Sequence, residues 1–190
     1  MPQVAFNKKY LRHFFYTNFY FMSRPVKGTY PPYFDNYISL VKEDDLFDAF
    51  KNQQEIIADY FYRIPESKTN TGYAEGKWSL KVLLLHIIDT ERIFNYRALC
   101  FARNETASLP GFDENLYADN SNGNSRTWAG LCEEFKAVRR STELLYEGFN
   151  AEILNHSGIA NNKPNTVIAV GFTTVGHVYH HLKIIEERYM

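Results

Sequence analysis

The chain has few cysteines, almost no net charge and no long apolar run. It contains only two cysteines, Cys100 and Cys132, too few for a disulfide framework, so we expect both to be free thiols in a reducing compartment. Its formal net charge is −1 and no basic stripe stands out, which disfavours a dedicated nucleic-acid-binding role. No apolar run reaches the roughly 18–20 residues that a membrane span needs. These absences predict a cytoplasmic protein without a nucleic-acid or membrane partner.

The first 21 residues differ in composition from the rest of the chain. A basic start precedes a mostly aromatic run over 14–21. That order is typical of a signal peptide, but Thr17 and Asn18 interrupt the run and no small-x-small cleavage site follows it. We interpret residues 1–21 as an atypical N-terminal extension, an upstream translation or a strain-specific addition, with a targeting signal as the alternative. Residues 22–190 suit a single domain, since 45% hydrophobic residues allow a sizeable core.

Hydrophobic periodicity predicts an all-α domain built on four long helices. Pro65 ends the first apolar pattern, and Ser79 is a good N-cap for the strongly apolar second one. Apolar residues at alternating spacings of three and four mark the third helix. Pro164 suits the first turn of the fourth helix. No convincing strand pattern is present. The predicted helices span about 42–64, 79–103, 125–150 and 164–189.

Two of the predicted connections are longer than the roughly 2–8 residues usual between bundle helices. The segment 104–124 has about 21 residues, and 65–78 is also long, with Gly72 and Gly76 as turn residues. Each is either a plain connection or a cover over a pocket, and both interpretations stay open. The segment 23–37 is rich in Pro, Gly and Tyr and is predicted to form an extended arm lying on the domain.

The histidines are the most informative residues of the chain. Three of the six lie within five residues near the C-terminus, and His86 lies in the apolar stretch of the second predicted helix. Imidazole is the commonest protein metal ligand and binds when it is neutral. One histidine from the second helix and two from the fourth predict a three-nitrogen metal site inside the bundle. Each histidine alone could be a hydrogen-bonded core residue, but three buried imidazoles without an ion would be a costly polar cluster.

Helix geometry selects which of the three clustered histidines point inward. At roughly 100° per residue, His181 falls about 60° from the centre of the apolar stripe and His180 about 160° from it. His177, four residues before His181, lies near the edge of the buried face. We therefore predict His86, His177 and His181 as the metal ligands and expect His180 to point outward.

Residues close to the predicted ligands give weaker evidence for a role at the metal site. Asp89 and Thr90 follow His86 by three and four residues and could support a ligand, with a helix-surface or interhelical hydrogen bond as the alternative. Glu91 points about 140° away from His86, which makes it a poor general base. Arg97 shares the His86 face but lies about 16 Å along the helix. It could hold a substrate carboxylate only if the pocket extends that far, and a structural ion pair is the favoured interpretation.

Two familiar catalytic groups are missing beside the histidines. Val178 follows His177, where the zinc-protease helix H-E-x-x-H carries its glutamate, so a peptidase would need a base from elsewhere. Cys100 lies 14 residues beyond His86, roughly 21 Å along a helix, and cannot share the site. Because neither cysteine is placed to act as nucleophile, an external thiol is favoured.

Four segments together resemble the DinB-like family of DNA-damage-inducible proteins. No single motif is unique, but their order and spacing are specific, and the resemblance covers about residues 24–189. The segments are Gly76-Lys77-Trp78-Ser79, His86-Ile87-Ile88-Asp89-Thr90-Glu91-Arg92, Leu109-Pro110-Gly111-Phe112-Asp113 and Gly176-His177-x-x-His180-His181-Leu182-Lys183.

The resemblance implies a four-helix bundle of up-down-down-up topology with a divalent metal ion, Zn, Ni or Fe, on three histidines. The matching positions are His86, His177 and His181. Several members of that family are S-transferases that use low-molecular-weight thiols such as bacillithiol or mycothiol. We therefore expect a metal-dependent enzyme that activates a small thiol toward a small electrophile. A metal-dependent hydrolase and a non-enzymatic metal-binding or stress-response protein are the alternatives, and assembly as a homodimer stays open.

Overall fold

Four long helices dominate residues 23–190, the part of the chain that the computed structural model describes. The proposed extension 1–21 lies outside the described residues. Within 23–190, no helix is long and apolar enough to cross a membrane. In chain order the helices are α1 (Asp35–Ile38), α2 (Leu46–Tyr60), α3 (Leu80–Ala102), α4 (Glu114–Asn120), α5 (Trp128–Glu147), α6 (Ala151–Leu154) and α7 (Val167–Arg188), and the strands are β1 (Ser157–Ala160) and β2 (Lys163–Thr166). Short 3₁₀ turns occupy Pro32–Phe34, Phe61–Arg63, Glu66–Lys68 and Gly123–Ser125.

Each long helix begins where the sequence supplies a capping side chain. Ser79 caps α3 by accepting a hydrogen bond from the Val82 N–H, as its position predicted. Asp45, Thr127 and Thr166 cap α2, α5 and α7 in the same way. Such a cap contributes about 1 kcal/mol. The caps explain why α2, α5 and α7 begin three or so residues later than the hydrophobic periodicity alone indicated.

Side-chain contacts fix the directions of the four long helices. Successive residues of α3 meet successive residues of α5 in the same order, so these two helices are parallel. Residues of α3 meet those of α7 in reverse order, and residues of α2 meet those of α5 in reverse order. The prediction of an up-down-down-up bundle is therefore confirmed. The contact pairs are Arg92–Glu134 and Asn95–Thr142 between α3 and α5, His86–His181 and Phe94–His177 between α3 and α7, and Phe50–Tyr146 and Gln53–Arg139 between α2 and α5.

A buried ion pair ties the bundle together on the side of α3 that faces away from the histidines. Arg139 donates from Nε and Nη2 to the Glu91 carboxylate at 2.8 and 2.9 Å, and from Nη1 to Gln53 Oε1 at 2.5 Å. Gln53 in turn donates to the backbone oxygen of Val175 at 2.8 Å, so the network joins α2, α3, α5 and α7. Glu91 is 2% exposed and fully engaged, in agreement with the prediction that it points away from His86.

A two-stranded antiparallel hairpin stands where the sequence gave no convincing strand pattern. Pro164, expected in the first turn of the last helix, instead lies in β2 opposite Ile159, and α7 begins at Val167. The hairpin turns at Asn161 and Asn162, whose φ angles are 49° and 58°. Asparagine tolerates positive φ, and two such residues make the tight turn that suits paired strands. With four residues in each strand, the alternation was too short to recognise.

The long connection between α3 and α5 docks on this hairpin. The Leu109 N–H donates to the Ile159 carbonyl at 2.8 Å, and the Asn161 N–H donates to the Leu109 carbonyl at 2.9 Å. The segment after Leu109 then passes beside α3 before it enters α4. The connection thereby becomes one wall of the cavity described next.

Candidate metal centre

Three histidine side chains converge where α3 faces α7. The Nε2 atom of His177 lies 3.2 Å from Nε2 of His86 and 3.0 Å from Nε2 of His181. One nitrogen from each ring falls within a single cluster of candidate metal-binding atoms. His86 comes from the first turns of α3, and the other two are one turn apart on α7. The structure thus brings together the three histidines that the sequence selected, while their role as metal ligands stays a prediction.

The separations suit three nitrogens bound to one ion. For metal–nitrogen bonds of about 2.0–2.1 Å, two ligands lie about 2.9 Å apart at a right angle and about 3.3 Å apart at the tetrahedral angle. The two measured separations fall between these values. Hydrogen bonding is a poorer explanation, because a neutral His177 Nε2 either donates one proton or accepts one and cannot bond both neighbours well. A cation would be coordinated by all three lone pairs at once.

Burial holds the three imidazoles in the neutral state that ligation requires. His177 and His181 are 5% and 7% exposed. Desolvation lowers the pKa of both well below the usual histidine value, with smaller contributions from neighbouring histidines. Desolvation also lowers the pKa of His86 to about 4, against an opposing effect of Glu114. At neutral pH the cluster therefore offers lone pairs instead of positive charge.

The cluster opens into a cavity of about 500 Å³. Its walls come from all the long connections: the arm before α1, the residue before the Ser79 cap, the segment after Leu109, and the β-hairpin. Trp78 lies against His86 with ring centroids 5.0 Å apart. The volume is in the range of small-molecule sites. The two long connections therefore both contribute to the cavity wall.

The N-terminal arm was predicted to be extended over 23–37, but its last residues form a 3₁₀ turn and helix α1. This end of the arm reaches the histidines because α7 has a glycine there. A Cβ on Gly176 would lie 2.1 Å from the Tyr37 carbonyl oxygen, so any larger residue would displace the arm. The Tyr37 ring packs edge-on against His177 and His180 at 5.5 and 5.3 Å. His180 is thus half-buried under Tyr37 at the cavity wall. The prediction that His180 points outward was wrong in that respect, because the helical periodicity of α7 gives no information about the arm that covers it. His180 is nevertheless not part of the three-nitrogen cluster.

The residues after His86 separate into two groups. Asp89 pairs with Arg92 at 3.2 Å on the helix surface and does not line the cavity. Thr90 is 3% exposed and lines the cavity, and its hydroxyl has no hydrogen-bond partner within the described residues. Of the two candidates for support of the site, Thr90 is therefore the one at the cavity wall, and its hydroxyl oxygen is buried.

Arg97 also lines the cavity, so the cavity extends as far along α3 as this residue. Its guanidinium donates one hydrogen bond, from Nη2 to the Pro110 carbonyl at 3.1 Å. No carboxylate whose side chain the structure describes forms an ion pair with it, so the structural ion pair favoured from the sequence was wrong. The segment after Leu109 occupies the space beside Arg97 with a backbone carbonyl and the Phe112 ring.

The acidic residue of the cavity wall was missed from the sequence. Glu114 begins α4, beside the Asp113 cap, and lines the cavity together with His86. Burial lowers the pKa of His86 and raises that of Tyr37, and the Glu114 charge adds a smaller upward effect on both, in keeping with a place near the histidine end of the cavity. Only its place in the long connection could have suggested it, because no periodicity relates residue 114 to the histidines.

The family model described as the DinB superfamily matches residues 49–185, more than half of the chain. The chain belongs to the DinB superfamily. The matched range contains all three clustered histidines. It excludes Tyr37 and the rest of the arm, so this wall of the cavity is built from residues beyond the matched region.

A solved structure has the same fold as this DinB-superfamily chain. YfiT from Bacillus subtilis, described as a probable metal-dependent hydrolase with an unusual four-helix bundle topology, superposes with a TM-score of 0.59 over 86% of this chain and 90% of its own. The two sequences are 16% identical, so the likeness establishes the fold. No curated protein matches this chain significantly.

Proposed function

We propose that this DinB-superfamily protein is a divalent-metal-dependent enzyme for a small substrate, with His86, His177 and His181 as the metal ligands. The observation that carries the proposal is the meeting of three neutral Nε2 atoms at the wall of a cavity of about 500 Å³. Catalytic metal sites keep a coordination position open, whereas structural sites are closed by four protein ligands. Three histidines beside an accessible cavity fit the first pattern.

A bound divalent ion would lower the pKa of a thiol or a water at its remaining position. The protein's own residues prepare the surroundings for that chemistry. The rings of Trp78, Tyr37 and Phe94 surround the histidines and limit access of bulk water. Thr90, one helical turn after His86, adds its side chain to the same wall of the cavity.

The nucleophile that we propose is a low-molecular-weight thiol supplied from outside. Its proton would pass to solvent, and the thiolate would form a carbon–sulfur bond to a small electrophile, either by addition to a double bond or by displacement of a leaving group such as chloride. Neither cysteine lines the cavity. Cys132 is buried elsewhere in the core, and burial raises the pKa of its thiol to about 11. The protein therefore has no thiolate of its own to offer at this cavity, which supports a thiol co-substrate, as does the resemblance to a family that includes thiol S-transferases.

Activity assays with metal-loaded protein test the thiol proposal. Turnover of a thiol with an electrophile such as monochlorobimane should persist below the thiol's own pKa of about 8.5. It should disappear with a chelator and return when a divalent ion is added. The variant His86→Gln should be inactive, and Lys163→Gln, at the outer wall of the same cavity, should keep activity. Equal thiol turnover in metal-free and metal-loaded protein would contradict the proposal.

Hydrolysis is the second candidate, and the position of the Glu114 carboxylate at the cavity wall favours it. A carboxylate that lines the cavity beside the histidines could accept a proton from an attacking water. YfiT, described as a probable metal-dependent hydrolase, shares the fold. If hydrolysis is the reaction, Glu114→Gln should abolish ester or amide turnover while the protein still binds metal. If Glu114→Gln leaves such turnover intact, Glu114 is not the base.

A further inference from the structure

Arg97 is a buried cation for which the described part of the chain provides no anion. The residue is 8% exposed. Its guanidinium carries five N–H donors, one of which forms a hydrogen bond to a backbone carbonyl. Taking a charge out of water costs several kcal/mol unless an anion or a full set of hydrogen bonds compensates. Arg139, the other buried arginine of the bundle, has that compensation from Glu91 and Gln53. The contrast indicates that the partner of Arg97 comes from outside the chain.

The position of Arg97 relates it to the histidines. His86, Thr90, Phe94 and Arg97 follow one another on α3 at spacings of four, four and three residues, so they form one stripe, and all four line the cavity. Along the stripe an imidazole, a threonine side chain, an aromatic ring and a guanidinium follow one another in that order. Between its two ends the helix rises about 16 Å. A ligand along this wall would meet the histidine cluster at one end and a cation at the other.

The remaining charges of the cavity leave the Arg97 end positive. Glu114, the carboxylate among the described residues that line the cavity, forms no ion pair or hydrogen bond with Arg97, and burial lowers the pKa of the Arg97 guanidinium. Lys163 also lines the cavity, but it is exposed on the hairpin. The rings of Phe94 and Phe112 lie 5.9 and 6.0 Å from the Arg97 guanidinium and flank it with apolar surface.

We propose that Arg97 binds a carboxylate of the substrate, so that the cavity selects small molecules with an apolar body and an anionic end remote from the reacting group. This assignment rests on the proposed function for the place of the reacting group, at the histidine cluster. A guanidinium fork matches a carboxylate with two parallel hydrogen bonds, which gives orientation as well as affinity. Arg97 is thus a specificity-determining residue.

Matched probes test the proposal by calorimetric binding. Mercaptohexanoate and mercaptooctanoate carry a thiol for the histidine end and a carboxylate for Arg97, and the corresponding mercapto alcohols lack the charge. A charge-assisted hydrogen bond in a buried site should make the better of the two acids bind about tenfold or more tightly than its alcohol. Arg97→Gln should remove that preference, and Arg97→Lys should keep part of it. Lys163→Gln is the matched control and should keep all of it.

The same titrations with metal-free protein separate this proposal from the proposed function. If the metal holds the thiol, chelation should weaken the acids and the alcohols alike and leave the preference for the acid. If the preference for the acid depends on Arg97 but the affinities do not change when the metal is removed, the result would support the role of Arg97 and contradict the metal–thiol assignment. Equal binding of acid and alcohol to wild-type protein would overturn the Arg97 proposal, and so would a preference that Lys163→Gln abolishes and Arg97→Gln does not. If Arg97→Gln does not fold, Arg97→Lys and the wild-type comparison still decide.

Discussion

The buried neutral histidines predict that the metal-free protein loses stability as the pH falls. An unfolded histidine, with a pKa of about 6.5, takes up most of a proton between about pH 7.5 and about pH 5.5. Folded His86, with its pKa lowered to about 4, takes up little. Stability rises with pH wherever the unfolded state binds more protons, so acidification over this range favours unfolding.

The size of the effect follows from the same numbers. A difference of one bound proton changes the free energy of unfolding by about 1.4 kcal/mol per pH unit. Over this range His86 alone should therefore contribute a loss of about 1 kcal/mol. His177 and His181, whose pKa values are lowered more strongly, act in the same direction, and the half-buried His180 adds to them. The total would be a large part of the roughly 5–15 kcal/mol typical of a domain.

Urea unfolding with a chelator present, at both pH values, measures this linkage. The variant His86→Gln should lose about 1 kcal/mol less than wild type on acidification, because it has no imidazole to protonate at that position. Lys163→Gln, which changes the same cavity without removing a histidine, is the matched control and should behave like wild type. An equal loss in His86→Gln and wild type would refute the assignment of His86 as a buried neutral group.

Further predictions concern the fold and the cavity wall. Glu91→Ala leaves Arg139 buried without its carboxylate and should lower the free energy of unfolding by about 3–5 kcal/mol, measured by urea unfolding. Gly176→Ala forces a methyl group against the Tyr37 backbone and should cost about 1–3 kcal/mol. Gly148→Ala, whose added Cβ would have only ordinary contacts, is its control. Similar stability of the two alanine variants would mean that the arm does not lie on α7 as described.

The sequence predicted those parts of the protein that periodicity governs. His177 and His181 share one face of α7 because four residues make about one turn, and Glu91 faces away from His86 for the same geometric reason. The Ser79 cap is a local hydrogen bond, which the preference of serine for the N-cap position predicts. These features depend on neighbours along one helix, so they could be read without knowing how the helices pack.

The parts that the sequence did not reveal depend on segments without periodicity. Glu114 reaches the cavity because the connection docks on the hairpin through Leu109, which no local pattern encodes. The half-burial of His180 depends on the arm, whose approach requires Gly176 and a tertiary contact with Tyr37. Arg97 was expected to have a carboxylate partner, and only the assembled structure shows a backbone carbonyl in that place.

The central claim is that His86, His177 and His181 hold one divalent ion. Zinc titration of chelator-treated protein, followed by calorimetry and by elemental analysis after desalting, tests it most directly. Wild-type protein should bind one equivalent. His181→Ala should lose most of the bound metal, and His180→Ala, which removes the adjacent histidine outside the three-nitrogen cluster, should retain it. Equal retention or equal loss of metal in the two variants would contradict the account.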